Sequence, residues 1–175
     1  MCGIFGIVAR DGLSPSCSDA EAARLRDLLT HRGPDDAGLL RVRNALLTHR
    51  RLAVIDPTPA GRQPFSTADG RFHLVYNGEL YNDRELRREL IARGVRFKSH
   101  CDAETVLHAF ATWGLEAFPR FRGMFAIALF DAHRNLLTLA RDPLGIKPLY
   151  FCAGDSEVAF ASEPAPLLSM PGGHS

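Results

Sequence analysis

The chain opens on Met1-Cys2-Gly3-Ile4-Phe5-Gly6-Ile7-Val8, and no other stretch constrains the fold as much. Gly3 to Val8 is short, apolar and partly β-branched, so it reads as a buried strand. The core therefore begins almost at the first residue. Cys2 stands directly before that strand. An initiator methionine is usually trimmed when the next residue is small, which would make Cys2 the new N-terminus. One residue would then carry a thiol and a free α-amine. A free thiol has a pKa of about 8.5 and attacks only as the thiolate. An α-amine has a pKa of about 7.7–8.0, suited to a general base at neutral pH. A nucleophile activated by an N-terminal amine is one form of covalent catalysis. Taken alone, Cys2 also fits an inert buried thiol, since free Cys is among the most buried residue types.

With 175 residues the chain suits one domain with a sizeable core. Its formal net charge of +1 gives no electrostatic reason to expect nucleic acid or an anionic membrane as partner. There is no apolar run long enough for a membrane span, and no basic n-region with a signal-type apolar segment. The expectation is a cytoplasmic protein. Cys2, Cys17, Cys101 and Cys152 show neither a C-x-x-C pair nor zinc spacing, so free thiols and no metal site are expected.

Along the chain, Asp11-Gly12 is a turn signal. Ser18 or Asp19 can cap a helix running to about Thr30. His31-Arg32-Gly33-Pro34-Asp35-Asp36 stops it, because Pro34 pushes Gly33 out of the helical region. Ala45–Thr48 and Leu52–Ile55 read as short apolar runs, and 56–64 as a Pro- and Gly-rich loop. Phe72–Tyr76 is an alternating strand that runs into a turn signal at Asn77-Gly78. Asn82 can cap a second helix that Gly94 ends. Val95–Lys98 reads as a short strand, and Asp102 begins a third helix. From Met124 the pattern is sequential strands with short turns, an antiparallel meander whose apolar runs need cover on both faces. The order of elements is α+β, with two packed sheets and helices outside. The segment after Glu163 reads as an exit tail, so the domain is expected over 1–163 with a tail at 164–175.

Amide hydrolysis by an N-terminal nucleophile needs donors for the tetrahedral oxyanion. The side chain of Asn77 and a backbone N–H at Gly78 could supply them. It also needs ligands for substrate charges. Arg51 could take a carboxylate by two parallel bonds. Asp102 or Glu79 could take an ammonium, while Asp102 equally suits a helix cap and Glu79 a solvated loop charge.

The segments MCGIFGI, HRGPDDAG, HRRLAVID, GRQPF, VYNGELYN, DAETVLHAF, FRGMFAIALFD, LARDPLGIKPLYF and FASE occur in that order from Met1 to Glu163. In this the chain resembles the glutamine-hydrolysing domain of asparagine synthetases, a class II glutamine amidotransferase. The resemblance implies the four-layer αββα sandwich of N-terminal nucleophile hydrolases. It implies that Cys2 is the nucleophile, with its own amine as base, and that Asn77 and Gly78 form the oxyanion hole. It implies Arg51 for the α-carboxylate of L-glutamine, and Asp102 and Glu79 for its α-ammonium. His31 to Asp35 and Arg141-Asp142 are expected to be scaffolding behind the site. Neither a metal nor an organic cofactor is needed for this half-reaction. Asparagine synthetases continue into an adenylating domain with a Ser-Gly-Gly-Leu-Asp-Ser loop, which this sequence does not contain. A stand-alone polypeptide supplying ammonia to a separate synthetase in trans is therefore the expectation. Two alternatives stay open: an acyl-amide hydrolase acting on a substrate other than glutamine, and a non-catalytic interaction module if Met1 is retained.

Overall fold

The computed structural model describes residues 1–10 and 13–170. The Asp11-Gly12 turn lies outside them. Strand β1 (Gly3–Ala9) is buried along its whole length. It is the middle strand of a five-stranded antiparallel sheet, β2-β3-β1-β9-β8. In that sheet β2 is Asp36–Val42, β3 is Ala45–Arg51, β8 is Tyr150–Ala153 and β9 is Glu157–Ala161. The second sheet, β4-β5-β6-β7, is also antiparallel. It holds β4 (Phe65–Ser66), β5 (Phe72–Leu80), β6 (Gly123–Asp131) and β7 (Leu136–Arg141).

Alternation along the strands builds the layers. Ile4 and Val8 face the second sheet and pack with Leu47, Val75, Ala128, Phe130 and Phe160. Phe5 and Ile7 point the other way, onto Ala22 and Leu25 of helix α1 (Asp19–Asp27). The outer face of the second sheet carries Leu74, Tyr76, Ile127 and Leu129. These pack on Leu86 and Leu90 of α2 (Asp83–Ala92) and on Val106, Leu107 and Phe110 of α3 (Asp102–Trp113). The result is the expected α+β sandwich of four layers, helix, sheet, sheet, helix.

Helix α1 starts as its sequence suggests. Ser18 is the N-cap and forms a capping box with Glu21, the Glu21 N–H donating to Ser18 Oγ at 3.2 Å and the Ser18 N–H to Glu21 Oε2 at 2.9 Å. Asn82 sits at the N-cap of α2 but makes no cap bond there. Its amide instead donates to the Arg120 carbonyl at 2.9 Å, and its oxygen accepts from the Arg122 N–H at 3.0 Å.

Several elements differ from the sequence reading. Asn77-Gly78 is not a turn, because pairing with β6 carries β5 straight through it to Leu80 opposite Gly123. β3 runs on through His49 to Arg51, held by β2 on one side and by β1 as far as Arg50, while 52–55 leaves the sheet. Val95–Lys98 lies between α2 and α3, pairs with no strand among the described residues, and is not a strand. The four C-terminal strands are not one meander. β6 and β7 pair in the second sheet, whereas β8 and β9 join the first through β1. After Glu163, where an exit tail was expected, Pro164–Leu168 form helix α4. Met170 beyond it is buried with Cys17 and Ala22.

Candidate active site

Six residues singled out in the sequence line one cavity of about 260 Å³: Cys2, Arg51, Asn77, Gly78, Glu79 and Asp102. It lies at the end of the sandwich where β1 begins, β3 ends and β5 passes.

Cys2 is half-buried just ahead of β1. Its sulfur accepts from the Leu52 N–H at 3.5 Å and sits 3.9 Å from the Leu52 carbonyl. Burial pushes the thiol pKa up, opposed by the Leu52 backbone, the N-terminal charge and Arg51. The Cys2 carbonyl accepts from Arg32 Nε at 3.1 Å, and Arg32 Nη1 donates to Glu163 at 2.8 Å. Of the 31–35 motif, Arg32 thus fixes the backbone of Cys2. Asp35 holds the loop beside it, accepting from the Ala53 N–H at 2.7 Å.

Arg51 ends β3 and is 5% exposed. Its guanidinium donates to the carbonyls of Thr58, at 2.9 Å, and of Asp56. With five N–H donors in a guanidinium, others remain on a group that lines the cavity. Gly61 permits this placement, since a Cβ there would collide with Arg51 Nη2.

The ladder explains how β5 serves the cavity. Phe125 lies opposite Gly78, and its N–H and carbonyl both bond to Asp142, at 3.1 and 2.8 Å. Phe125 therefore has no backbone bond to give β5, so Gly78 belongs to a non-hydrogen-bonded pair and its N–H points away from β6. Tyr76 and Leu80, two residues either side, point the same way. The Tyr76 N–H donates to Gln63 Oε1 at 2.7 Å, and the Leu80 N–H to Asp102 Oδ2 at 2.9 Å. Between these two occupied positions the Gly78 N–H is directed to the cavity side. A Cβ at Gly78 would press on the Met124 carbonyl at 2.5 Å and the Tyr76 ring at 2.7 Å. Asn77 is 2% exposed, and its Nδ2 has no hydrogen-bond partner among the described residues.

Asp102 is the first residue of α3, with Cys101 at the N-cap position. Its carboxylate accepts from the Tyr76 hydroxyl at 3.1 Å and from the Leu80 N–H, so it spans the helix layer and β5. Burial raises its pKa, opposed by those two donors. Glu79 is exposed and stands at the rim.

Across residues 1–174 the chain matches the model of the glutamine amidotransferase domain. It belongs to this family. "Asparagine synthetase [glutamine-hydrolyzing] 3" of Bacillus subtilis is 40% identical over 174 residues, which cover 98% of this chain and 28% of that protein. "Amidase chyE" of Penicillium rubens is 37% identical, covering 97% of this chain and 26% of that protein. The chain thus spans less than a third of the length of these curated relatives. Among solved structures it is similar to a glutamine phosphoribosylpyrophosphate amidotransferase from Bacillus subtilis, with a TM-score of 0.75 and 21% identity. That match covers 95% of this chain and 43% of the other and establishes the shared fold.

In this amidotransferase domain three further side chains act at the cavity without having been assigned a role from the sequence. Gln63 clamps Tyr76, taking its N–H and returning Nε2 to its carbonyl at 3.1 Å. Tyr76 anchors Asp102. Lys147 reaches the cavity wall from the loop after β7. Their segments, GRQPF, VYNGELYN and LARDPLGIKPLYF, were visible, but the contacts depend on pairings that spacing does not reveal. Two nearby groups are poorly suited to chemistry. Burial and the Asp102 charge push the Cys101 thiol up to about 12. Burial holds His49 neutral, with a pKa of about 3, beneath the Tyr76 carbonyl at 3.2 Å.

Proposed function

We propose that the chain hydrolyses the side-chain amide of glutamine to glutamate and ammonia. The observation that carries this reading is the buried Asn77 Nδ2, unpartnered among the described residues, on a wall of the cavity that Cys2 lines. Leaving a buried amide donor unpaired costs on the order of 1–3 kcal/mol. A group that recovers this only when a ligand oxygen arrives suits an oxyanion hole.

Removal of Met1 frees the Cys2 α-amine. The amine takes the thiol proton, directly or through a water, and the thiolate attacks the amide carbon. Asn77 Nδ2 and the Gly78 N–H hold the oxyanion, each on the order of 3 kcal/mol. The protonated amine gives its proton to the departing nitrogen, ammonia leaves, and a γ-glutamyl thioester on Cys2 remains. Water, deprotonated by the same amine, releases glutamate and restores the thiol. Arg51 binds the α-carboxylate, and Asp102 with Glu79 binds the α-ammonium. Ammonia passes to a synthetase activity, which the names of the relatives and their greater length support.

The test measures ammonia release by the Met-free chain from glutamine and from acylated amides without an amino-acid head. Glutamine should be hydrolysed and the headless amides spared. Turnover of the headless amides alone, or activity undiminished while Met1 is retained, would overturn the reading.

A further inference from the structure

Lys147 is buried, 5% exposed, and lines the same cavity as Cys2. Its delivery there is heavily specified. The Asp142 carboxylate accepts from the N–H groups of Ile146 at 2.8 Å and Lys147 at 3.0 Å, while also accepting from Phe125 of β6. Arg141 closes the loop from the other side, donating to the carbonyls of Lys147 at 2.6 Å and Gly145 at 2.5 Å. Two charged side chains thus anchor the backbone of one lysine.

At the end of that strut, the cation has a weak partner. Among the described residues, the hydrogen bond from Nζ goes to Met1 Sδ at 3.2 Å, and no carboxylate lies within ion-pair distance. A thioether is a poor acceptor, and a buried cation ordinarily requires better compensation. Met1 is also the residue whose loss creates the α-amine of Cys2. Once it leaves, Nζ loses that partner, on a side chain that lines the same cavity as Cys2.

Resting on the mechanism above, we propose that Lys147 is a positioning residue for the base, its cation keeping the Cys2 α-amine neutral. A like charge disfavours protonation, so the amine can accept the thiol proton at neutral pH. The other charged or titratable groups around this position are Arg32 on the Cys2 carbonyl, Arg51 from β3, Glu79 from β5, and Cys101 with Asp102 at the start of α3. The two carboxylates among them favour the protonated amine; the Arg32 and Arg51 guanidinium groups oppose it, and Lys147 adds a third cation from the Met1 side.

The experiment titrates the α-amine directly, by its acylation rate against pH, in Met-free chains carrying Cys2→Ser so that no turnover interferes. Replacing the cation in Lys147→Met should raise the midpoint by on the order of 1 unit, while Lys147→Arg leaves it in place. In chains that retain Cys2, the acid limb of kcat/KM for glutamine should move by the same amount. An unmoved midpoint in a folded Lys147→Met chain would overturn the proposal. A midpoint that moves as far with arginine as with methionine would overturn it too. Because the titration needs no glutamine turnover, it reads this inference even if the glutaminase reading fails.

Discussion

Two backbone carbonyls hold the Arg51 guanidinium beside the cavity, and Gly61 leaves it room. A lysine ammonium, a point charge with three donors, could not keep both carbonyls and still grip a carboxylate by two bonds. Arg51→Lys should therefore raise KM for glutamine tenfold to a hundredfold, following a charge-assisted contact of about 1.5–3 kcal/mol, with a smaller change in kcat. Steady-state kinetics checks this, and an unchanged KM with a lower Tm would make Arg51 a loop clamp only. Gly61→Ala adds one carbon where Arg51 Nη2 stands. It should raise KM in the same direction with Arg51 intact, measured the same way. Sequence reasoning could nominate Arg51 from its chemistry. It could not see Gly61 as its counterpart, because that contact exists only once the 56–61 loop folds back over β3.

At the scale of elements, the entry to α3 is set by Glu104. Its carboxylate accepts from the Lys98 N–H at 2.9 Å, the Ser99 N–H at 2.8 Å and the Ser99 hydroxyl at 2.7 Å, with His108 at 3.6 Å. Burial works to raise its pKa, but His108 and these donors outweigh it and hold the group at about 2, against an ordinary 4.5. A depressed carboxylate pKa stabilises the fold above the unfolded value, and that contribution fades as pH falls from about 4.5 to 2. It is on the order of 3 kcal/mol at neutral pH. Glu104→Gln should lower Tm at pH 7 and flatten the decline in stability between pH 4.5 and 2, read by thermal melts across that range. An unchanged acid profile would show that the clamp carries no such charge dependence. Helices with local signals were legible: α1 declares itself through Ser18 and Glu21, and α3 through its apolar face. The Asn77-Gly78 turn and the 95–98 strand were misread for a common reason. A nine-residue ladder to β6 overrides a two-residue turn preference, and a strand-like segment with no neighbour stays irregular.

Over the whole molecule, the fold turns on β1, which joins strands contributed from both ends of the chain. Its Gly6 faces the inter-sheet layer, where a Cβ would press on the Phe160 ring at 2.5 Å and the Leu46 carbonyl at 2.8 Å. Gly6→Ala should destabilise by about 1–3 kcal/mol through overpacking, seen as a lower denaturant midpoint; a midpoint at or above that of the parent chain would mean the layer can yield. That β9 returns to β1 could not be read from strand spacing, since it pairs residues about 150 positions apart. The same return carries Glu163 to Arg32, and so braces the backbone of Cys2. In the proposed reaction Cys2, as the N-terminal residue, forms a glutamyl thioester. The most direct test mixes the Met-free chain with glutamine, quenches in acid and measures intact mass, then maps the adduct. The expected result is a gain of one glutamyl group on the peptide beginning at Cys2, absent in Cys2→Ser, which also loses glutamine turnover. Glutamine turnover that survives Cys2→Ser, or an adduct mapped to Cys101, would contradict it.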